Sequence, residues 1–232
     1  MLTSAKAIAL ENDEEIFNFI KENLYVAAVC DMLDTLGHRN QAMDHRLRPL
    51  LPEIRNCGFI GRARTLRWME IDYVDERNPY GLEIEAIDSL KSGDVIVHST
   101  DYTGASARWG ELLSTVAKNN GAAGCVCDGP IRDCIKIIDM GFPVFYSEIH
   151  PADSKGRTCV MSYDVPVKCG GVLVQSGDLV FADIDGIVVI PKEIEKDVLI
   201  LAQEKIERES LTRKDLLRGD SLRQVFNRYG IL

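Results

Sequence analysis

Residues 94–127 read DVIVHSTDYTGASARWGELLSTVAKNNGAAGCVC, and the period of their apolar positions changes twice. Asp94–His98 and Ala122–Cys127 are short apolar runs with the length and β-branched content of buried strands. Between them, Ala107–Asn119 sets Leu112, Leu113, Val116 and Ala117 on one helical face, and Asn119-Asn120-Gly121 supplies a C-cap. The stretch predicts a strand–helix–strand unit, and the rest of the chain is read outward from it.

Toward the N-terminus, Asp13–Asn23 places Ile16, Phe17 and Ile20 at helical spacing, and a second helix runs from about Tyr25 to Leu36 before Gly37. Cys57–Trp68 reads as a strand in which Gly58 and Gly61 permit a bulge or a close backbone approach. Toward the C-terminus, a helix is expected to open at Gly129-Pro130, since proline is preorganised for the first helical position, and to end at Met140 before Gly141. Phe142–Tyr146 is a strand. Val165–Val174, Asp178–Ala182 and Gly186–Ile190 follow with turn residues between them rather than helices, which points to a mixed sheet. Beyond Pro191, Ile194, Val198, Leu201, Ala202 and Ile206 recur at steps of three and four along a long amphipathic helix, and a last short helix covers Ser221–Arg228. Ser92-Gly93-Asp94-Val95-Ile96-Val97 is echoed by Ser176-Gly177-Asp178-Leu179-Val180-Phe181, each a tight turn feeding a buried strand. The expected organisation is α/β with a central mixed sheet flanked by helices. Residues 1–190 form that domain with its N-terminal helices, and 191–232 form a helical arm packing on the same domain or on a neighbouring subunit.

Composition narrows the function classes. The 232 residues carry 27 Lys+Arg against 36 Asp+Glu, a net charge of −9, and 46 % are hydrophobic, so the chain has apolar surface enough for a globular core. An acidic chain without a local basic stripe is a poor match to a phosphate backbone, so no nucleic-acid partner is expected. Met1–Glu15 shows Lys6 and then acids without a continuous apolar run, and no stretch approaches 18 apolar residues, so neither a leader nor a membrane span is expected. Seven cysteines without framework spacing suit reduced thiols in a cytoplasm. The Cys125-Val126-Cys127 pair lacks the second pair and the His that a zinc cage needs.

The densest cluster of chemically capable residues is Trp109-Gly110-Glu111-Leu112-Leu113, followed by Asp128-Gly129-Pro130-Ile131-Arg132-Asp133. Each is expected at a helix N-terminus beyond a strand, where free N–H groups and the helix dipole attract a carboxylate or phosphate. Arg132 adds a planar fork suited to a carboxylate or an enolate oxygen. Glu111, Asp128 and Asp133 are hard oxygen donors that suit a Mg²⁺-like ion retaining several waters. Acids in a first helical turn also occur for dipole reasons alone, and an Arg-Asp pair is often a surface ion pair, so spacing leaves catalysis and structure both open. Asp31, Asp34, Glu204 and Glu207 read as solvated helix faces. The four His read as polar or interfacial residues, and Trp68 and Trp109 as packing residues.

These motifs resemble the RraA-like family, which includes class II pyruvate aldolases acting on 4-hydroxy-4-methyl-2-oxoglutarate and 4-carboxy-4-hydroxy-2-oxoadipate. The resemblance runs from Val29-Cys30-Asp31-Met32-Leu33-Asp34 through Gly61-Arg62-Ala63-Arg64-Thr65 to the two central motifs. It continues over Phe142-Pro143-Val144-Phe145 and Gly177-Asp178-Leu179-Val180-Phe181-Ala182-Asp183. In the aldolases an acid, twenty intervening positions and Arg-Asp mark the site, and Glu111 with Arg132-Asp133 fits, with Glu in place of the usual Asp. The resemblance implies a swivelling β/β/α fold and a lyase that cleaves a 4-hydroxy-2-oxo acid to pyruvate and a second carbonyl compound, with oxaloacetate decarboxylation as a side activity. It implies Mg²⁺ or Mn²⁺ held by Asp133 directly and by Glu111 through water, and substrate held by Gly110, Leu112, Leu113 and Arg132. It also implies a homotrimer or a dimer of trimers with a neighbour's carboxylate near the substrate's distal end. A second branch resembles non-catalytic regulators of an endoribonuclease. Those carry Gly at the position of Glu111 and an acid at that of Lys136, so both positions here depart from them. A related sugar-acid enzyme on the same metal site is the third possibility.

Overall fold

The computed structural model describes residues 12–51, 53, 57–101, 104 and 106–230. The expectation for Met1–Glu11 lies outside them. Helix α1 (Asp13–Asn23) opens on Asn12, whose side chain accepts the Glu15 N–H at 3.0 Å, and has three acids in its first turn. Helix α2 (Val26–Thr35) buries Val26, Ala28, Val29 and Leu33. After a two-residue strand β1 (Arg48–Pro49) comes the twelve-residue β2 (Phe59–Glu70). Then follow α3 (Leu82–Asp88), β3 (Asp94–Ser99), α4 (Glu111–Asn119), β4 (Gly124–Ile131), α5 (Cys134–Met140), β5 (Val144–Ile149) and β6 (Thr158–Tyr163). The hairpin β7 (Val167–Cys169) and β8 (Val172–Val174), the pair β9 (Leu179–Asp183) and β10 (Gly186–Ile190), α6 (Glu195–Leu217) and α7 (Leu222–Tyr229) complete the chain. No described helix is long and apolar enough to cross a membrane.

The sheet is mixed, as expected, in the order β1-β5-β4-β3-β2-β9-β10, with β6 also on β2. Strands β2, β3, β4 and β5 run parallel, while β9 and β6 each pair antiparallel with part of β2. Alternation splits the core. Ala63, Val95, Val97, Val126 and Phe145 pack into one layer, whereas Leu66, Ile96, Cys125, Cys127 and Val144 pack into another with α3, α4 and α5. Because both faces are covered, the parallel strands read as unbroken apolar runs. A third cluster joins Ile16 and Ile20 of α1 and Val29 and Leu33 of α2 to β9, β10 and to Val198, Leu199 and Ala202 of α6.

The repeated Ser-Gly-Asp turns are structurally equivalent. Gly93 and Gly177 have φ of 82° and 94°, and Asp94 and Asp178 each accept, at 2.8 Å, the N–H of the residue three places earlier. The strands they feed, β3 and β9, lie on opposite sides of β2.

Two expectations are corrected. Strand β4 continues through Gly129-Pro130 to Ile131, and α5 opens only at Cys134. The reason is that Asp128 is buried inside the strand, where it accepts the Thr100 N–H and hydroxyl at 2.7 and 2.8 Å and the Gly170 N–H at 3.4 Å. The register with β5 shifts between Cys127 and Pro130, a place where proline is tolerated. Helix α4 begins at Glu111, because Ala107–Trp109 is extended: Ala107 and Arg108 donate to the carbonyls of Ala152 and Pro130, and Trp109 bridges Ile131. No expected element corresponds to β1, α3 or β6, and Val165–Val174, read as one run, forms the β7–β8 hairpin about Gly170-Gly171.

Candidate active site

The extended Ala107–Trp109 segment lies beside the carboxyl end of β4, and the Arg132 N–H donates to the Trp109 carbonyl at 2.9 Å. That contact brings the two motifs together. Gly110, Leu112, Leu113 and Arg132 all line one cavity of about 230 Å³, with Tyr80, Glu83, Ile84, Ala107, Arg108, Trp109, Asp153 and Ser154. Ligands of parallel α/β sheets bind at this end of the strands. Glu111 and Asp133 are not among the lining residues, though their chain neighbours are. They meet each other, since the Glu111 N–H donates to Asp133 Oδ2 at 3.2 Å.

Each side chain is held by identifiable contacts. Asp133 occupies the N-cap position of α5 without a side-chain capping hydrogen bond, in a left-handed conformation (φ 58°) uncommon for a non-glycine residue. A Cβ on Gly110 would lie 2.8 Å from Asp133 Oδ2 and 3.3 Å from Arg132 Cγ, so only glycine leaves both groups where they are. Arg132 Nη2 pairs with Asp153 Oδ1 at 3.0 Å and its Nε lies 3.7 Å from Asp133 Oδ2. Asp153 also accepts the Tyr80 hydroxyl at 3.1 Å. Glu111 accepts the Thr115 hydroxyl at 3.3 Å and sits 4.0 Å from Lys136 Nζ. Leu112, with a side chain pointing largely to solvent, contributes backbone at the start of α4, where first-turn N–H groups have no helical acceptor.

Behind the cavity wall runs an aromatic stack. The Trp68 indole donates to His98 Nδ1 at 2.8 Å, the His98 ring meets Trp109 edge-on at 5.2 Å, and Trp109 stacks on Phe142. Burial drives the His98 pKa down to about 3, so it is a neutral spacer and no acid–base group. Both Trp pack as expected, and Trp109 in addition fixes the turn that carries Gly110.

The structure removes Asp128 from the candidate donors, since it is buried, its carboxylate satisfied by Thr100 and Gly170. Six lining residues carry no sequence signal noted above: Tyr80, Glu83, Ile84, Arg108, Asp153 and Ser154. Glu83 is buried, and burial first and the Asp153 charge second push its pKa up to about 8, against the lowering effect of Arg132. The α3 pattern offered one usable signal, a Glu amid Leu82, Ile84, Ala86 and Ile87. Asp153 lies in a loop where an isolated acid carries no pattern.

Among the described residues no three His, Cys, Asp or Glu side chains converge as a ready-made metal cage. Two hard carboxylates that stay partly exposed, Asp133 and Glu111, nonetheless suit a Mg²⁺-type ion, which keeps most of its water. The room Gly110 leaves at Asp133 Oδ2 is consistent with that donor set.

Fold and site together define a mixed-sheet α/β protein with an arginine-bearing cavity at the carboxyl ends of its parallel strands. The chain belongs to the RraA-like family, whose Aldolase/RraA model matches residues 26–189. It is 38 % identical over 190 residues to the "Putative 4-hydroxy-4-methyl-2-oxoglutarate aldolase" of Halalkalibacterium halodurans, spanning 81 % of this chain and 83 % of that protein. A protein of the same name from Halorhodospira halophila is 29 % identical, over 71 % of this chain and 95 % of its own. Among solved structures, Streptomyces coelicolor RraAS2, described as an unusual member of the RNase ES inhibitor RraA protein family, superposes with a TM-score of 0.75 at 29 % identity. That match covers 87 % of this chain and 97 % of RraAS2. The family read from the sequence motifs is thus the one found.

Proposed function

We propose that the protein is a divalent-metal-dependent lyase that cleaves a 4-hydroxy-2-oxo acid to pyruvate and a second carbonyl compound. The observation that carries this reading is the convergence of the two motifs: Gly110, Leu112, Leu113 and Arg132 line one cavity, beside Glu111 and Asp133 in mutual contact. Mg²⁺ or Mn²⁺, held by Asp133 and through water by Glu111, would supply Lewis-acid polarisation of the substrate's keto group.

The chain's own residues do the rest. The first-turn N–H groups of Leu112 and Leu113 receive the substrate carboxylate, aided by the α4 dipole. Arg132, oriented by Asp153, directs its guanidinium at the oxygen on which negative charge grows as the C3–C4 bond breaks; a donor so placed is worth about 10²–10³ in rate. Glu111 takes the 4-hydroxyl proton through water.

The test is to incubate the purified protein with Mg²⁺ or Mn²⁺ and a panel of 4-hydroxy-2-oxo acids and oxaloacetate, with pyruvate as the readout. Metal-dependent release is expected, with loss of at least about 100-fold in Arg132→Ala and in Asp133→Ala at unchanged circular dichroism. Full activity in either variant would rule out this site. The second reading, a non-catalytic regulator of an endoribonuclease, draws on the likeness to RraAS2. Lys136, within 4.0 Å of Glu111, puts a cation where those regulators carry an acid. No turnover across the panel together with tight binding of an endoribonuclease would favour it.

A further inference from the structure

Glu83 is the one cavity-lining carboxyl that the roles above leave unused. It projects from α3, is 5 % exposed, lines the cavity shared with Arg132, and accepts no hydrogen bond among the described residues; only the charges of Asp153 and Arg132 act on it. With no protein hydrogen-bond partner among the described residues, the Glu83 carboxyl opens on the cavity, where a bound ligand can complete it. The cavity wall also holds the indole N–H of the buried Trp109, which has no acceptor among the described residues. Asp153 pairs with Arg132 and Tyr80, and among the described residues no hydrogen bond joins it to Glu83.

Resting on the pyruvate-lyase reading, we infer that Glu83 is the group that exchanges a proton with C3 of the bound pyruvate moiety. When the C3–C4 bond breaks, its electron pair stays with the pyruvate half as an enolate, and the other half leaves as a carbonyl compound. The Glu83 carboxyl O–H then breaks, its electrons remaining on the carboxylate. The proton forms the third C–H bond of the pyruvate methyl, and the Glu83 proton is restored from water. The charge of Arg132, which lines the same cavity and acts on Glu83, offsets that of the new carboxylate. Burial and Asp153 keep this carboxyl protonated at neutral pH, the form an acid needs before turnover. In reverse, the Glu83 carboxylate removes a methyl proton from pyruvate, which makes the step visible without any cleavage substrate.

The experiment incubates the full chain with pyruvate and Mg²⁺ or Mn²⁺ in D₂O, follows loss of the methyl proton signal, and measures pyruvate binding by calorimetry. Wild-type protein is expected to exchange, and Glu83→Gln to exchange about 100-fold or more slowly while binding pyruvate within about threefold of wild type, as for loss of a general acid–base group. Exchange at the wild-type rate in Glu83→Gln overturns the inference. Loss of binding in step with exchange overturns it too, since Glu83 would then only hold the ligand. Failure of the underlying reading looks different: the wild-type protein itself would neither exchange nor release pyruvate with either metal, and the role of Glu83 would fall with it.

Discussion

Gly110 shows how much one absent methyl group decides. Its backbone is extended (φ −158°), which any residue adopts, yet a Cβ would press on Asp133 Oδ2. The obstructing atom ends a short, rotatable side chain, so Gly110→Ala should cost little stability, under about 1 kcal/mol, while displacing the carboxylate enough to lower metal-dependent turnover about 100-fold. A variant with wild-type turnover would show that the position of Asp133 is immaterial. Glu83 gives a pH prediction at the same scale. Its carboxyl titrates at an ordinary value of 4.5 when unfolded and at about 8 when folded, so between those values the folded state binds more protons. The stability linked to this group is therefore full below about pH 4.5 and is lost as pH rises toward 8. Glu83→Gln cannot titrate, so its melting temperature should gain on that of wild type from pH 5 to pH 8. An equal difference at both pH values would sink the assignment.

At the scale of elements, β2 organises the sheet, and Gly61 lets it do so. A Cβ there would strike the Gly93 carbonyl oxygen and Val95 Cγ2, atoms that belong to the turn and first residues of β3 and cannot swing away. Gly61→Ala is expected to cost about 1–3 kcal/mol in urea unfolding with the slope unchanged, as overpacking does; a neutral substitution would mean that β2 and β3 can separate freely. Strands β2, β3, β9 and β10 and helices α1, α2, α6 and α7 are legible because their apolar period agrees with their packing, and α1 and α7 carry side-chain caps as well. The start of α5 is not. Gly129-Pro130 has the local chemistry of a helix opening, but Asp128 is buried among Thr100 and Gly170, far off in sequence, and that contact extends β4. Likewise β6 shows no clean alternation and exists because the second half of β2 offers it a pairing edge.

For the molecule as a whole, Arg62 joins three distant segments. From β2 it reaches Asp13 on α1 and Glu195 on α6, each at 2.6 Å, and donates to the Gly177 carbonyl at 3.2 Å. The guanidinium is largely buried, so Arg62→Ala strands Glu195, itself mostly buried, without a counter-charge. The expected loss is about 2 kcal/mol, less than the roughly 3–5 kcal/mol of a fully buried pair because Asp13 stays half exposed. Asp13→Asn, at the exposed end, should cost under about 1 kcal/mol. Equal effects of the two variants in chemical denaturation would refute the ranking by burial.

The α/β class, the mixed sheet, the long C-terminal helix, the family, and Gly110, Glu111, Leu112, Leu113, Arg132 and Asp133 as candidates are all legible in the order of the amino acids alone. Those features are written in local periodicity, in caps and in short motifs with fixed spacing. The three-dimensional packing settles which acids line the cavity and which are enclosed within a strand. Asp128 sits in the same motif as Arg132 yet is buried and satisfied within a strand, while Glu83, Tyr80 and Asp153 come from a helix and a loop without any motif and line the cavity. Burial and the approach of charges from distant segments set the state of a carboxyl, and neither is a property of the residues beside it in the chain.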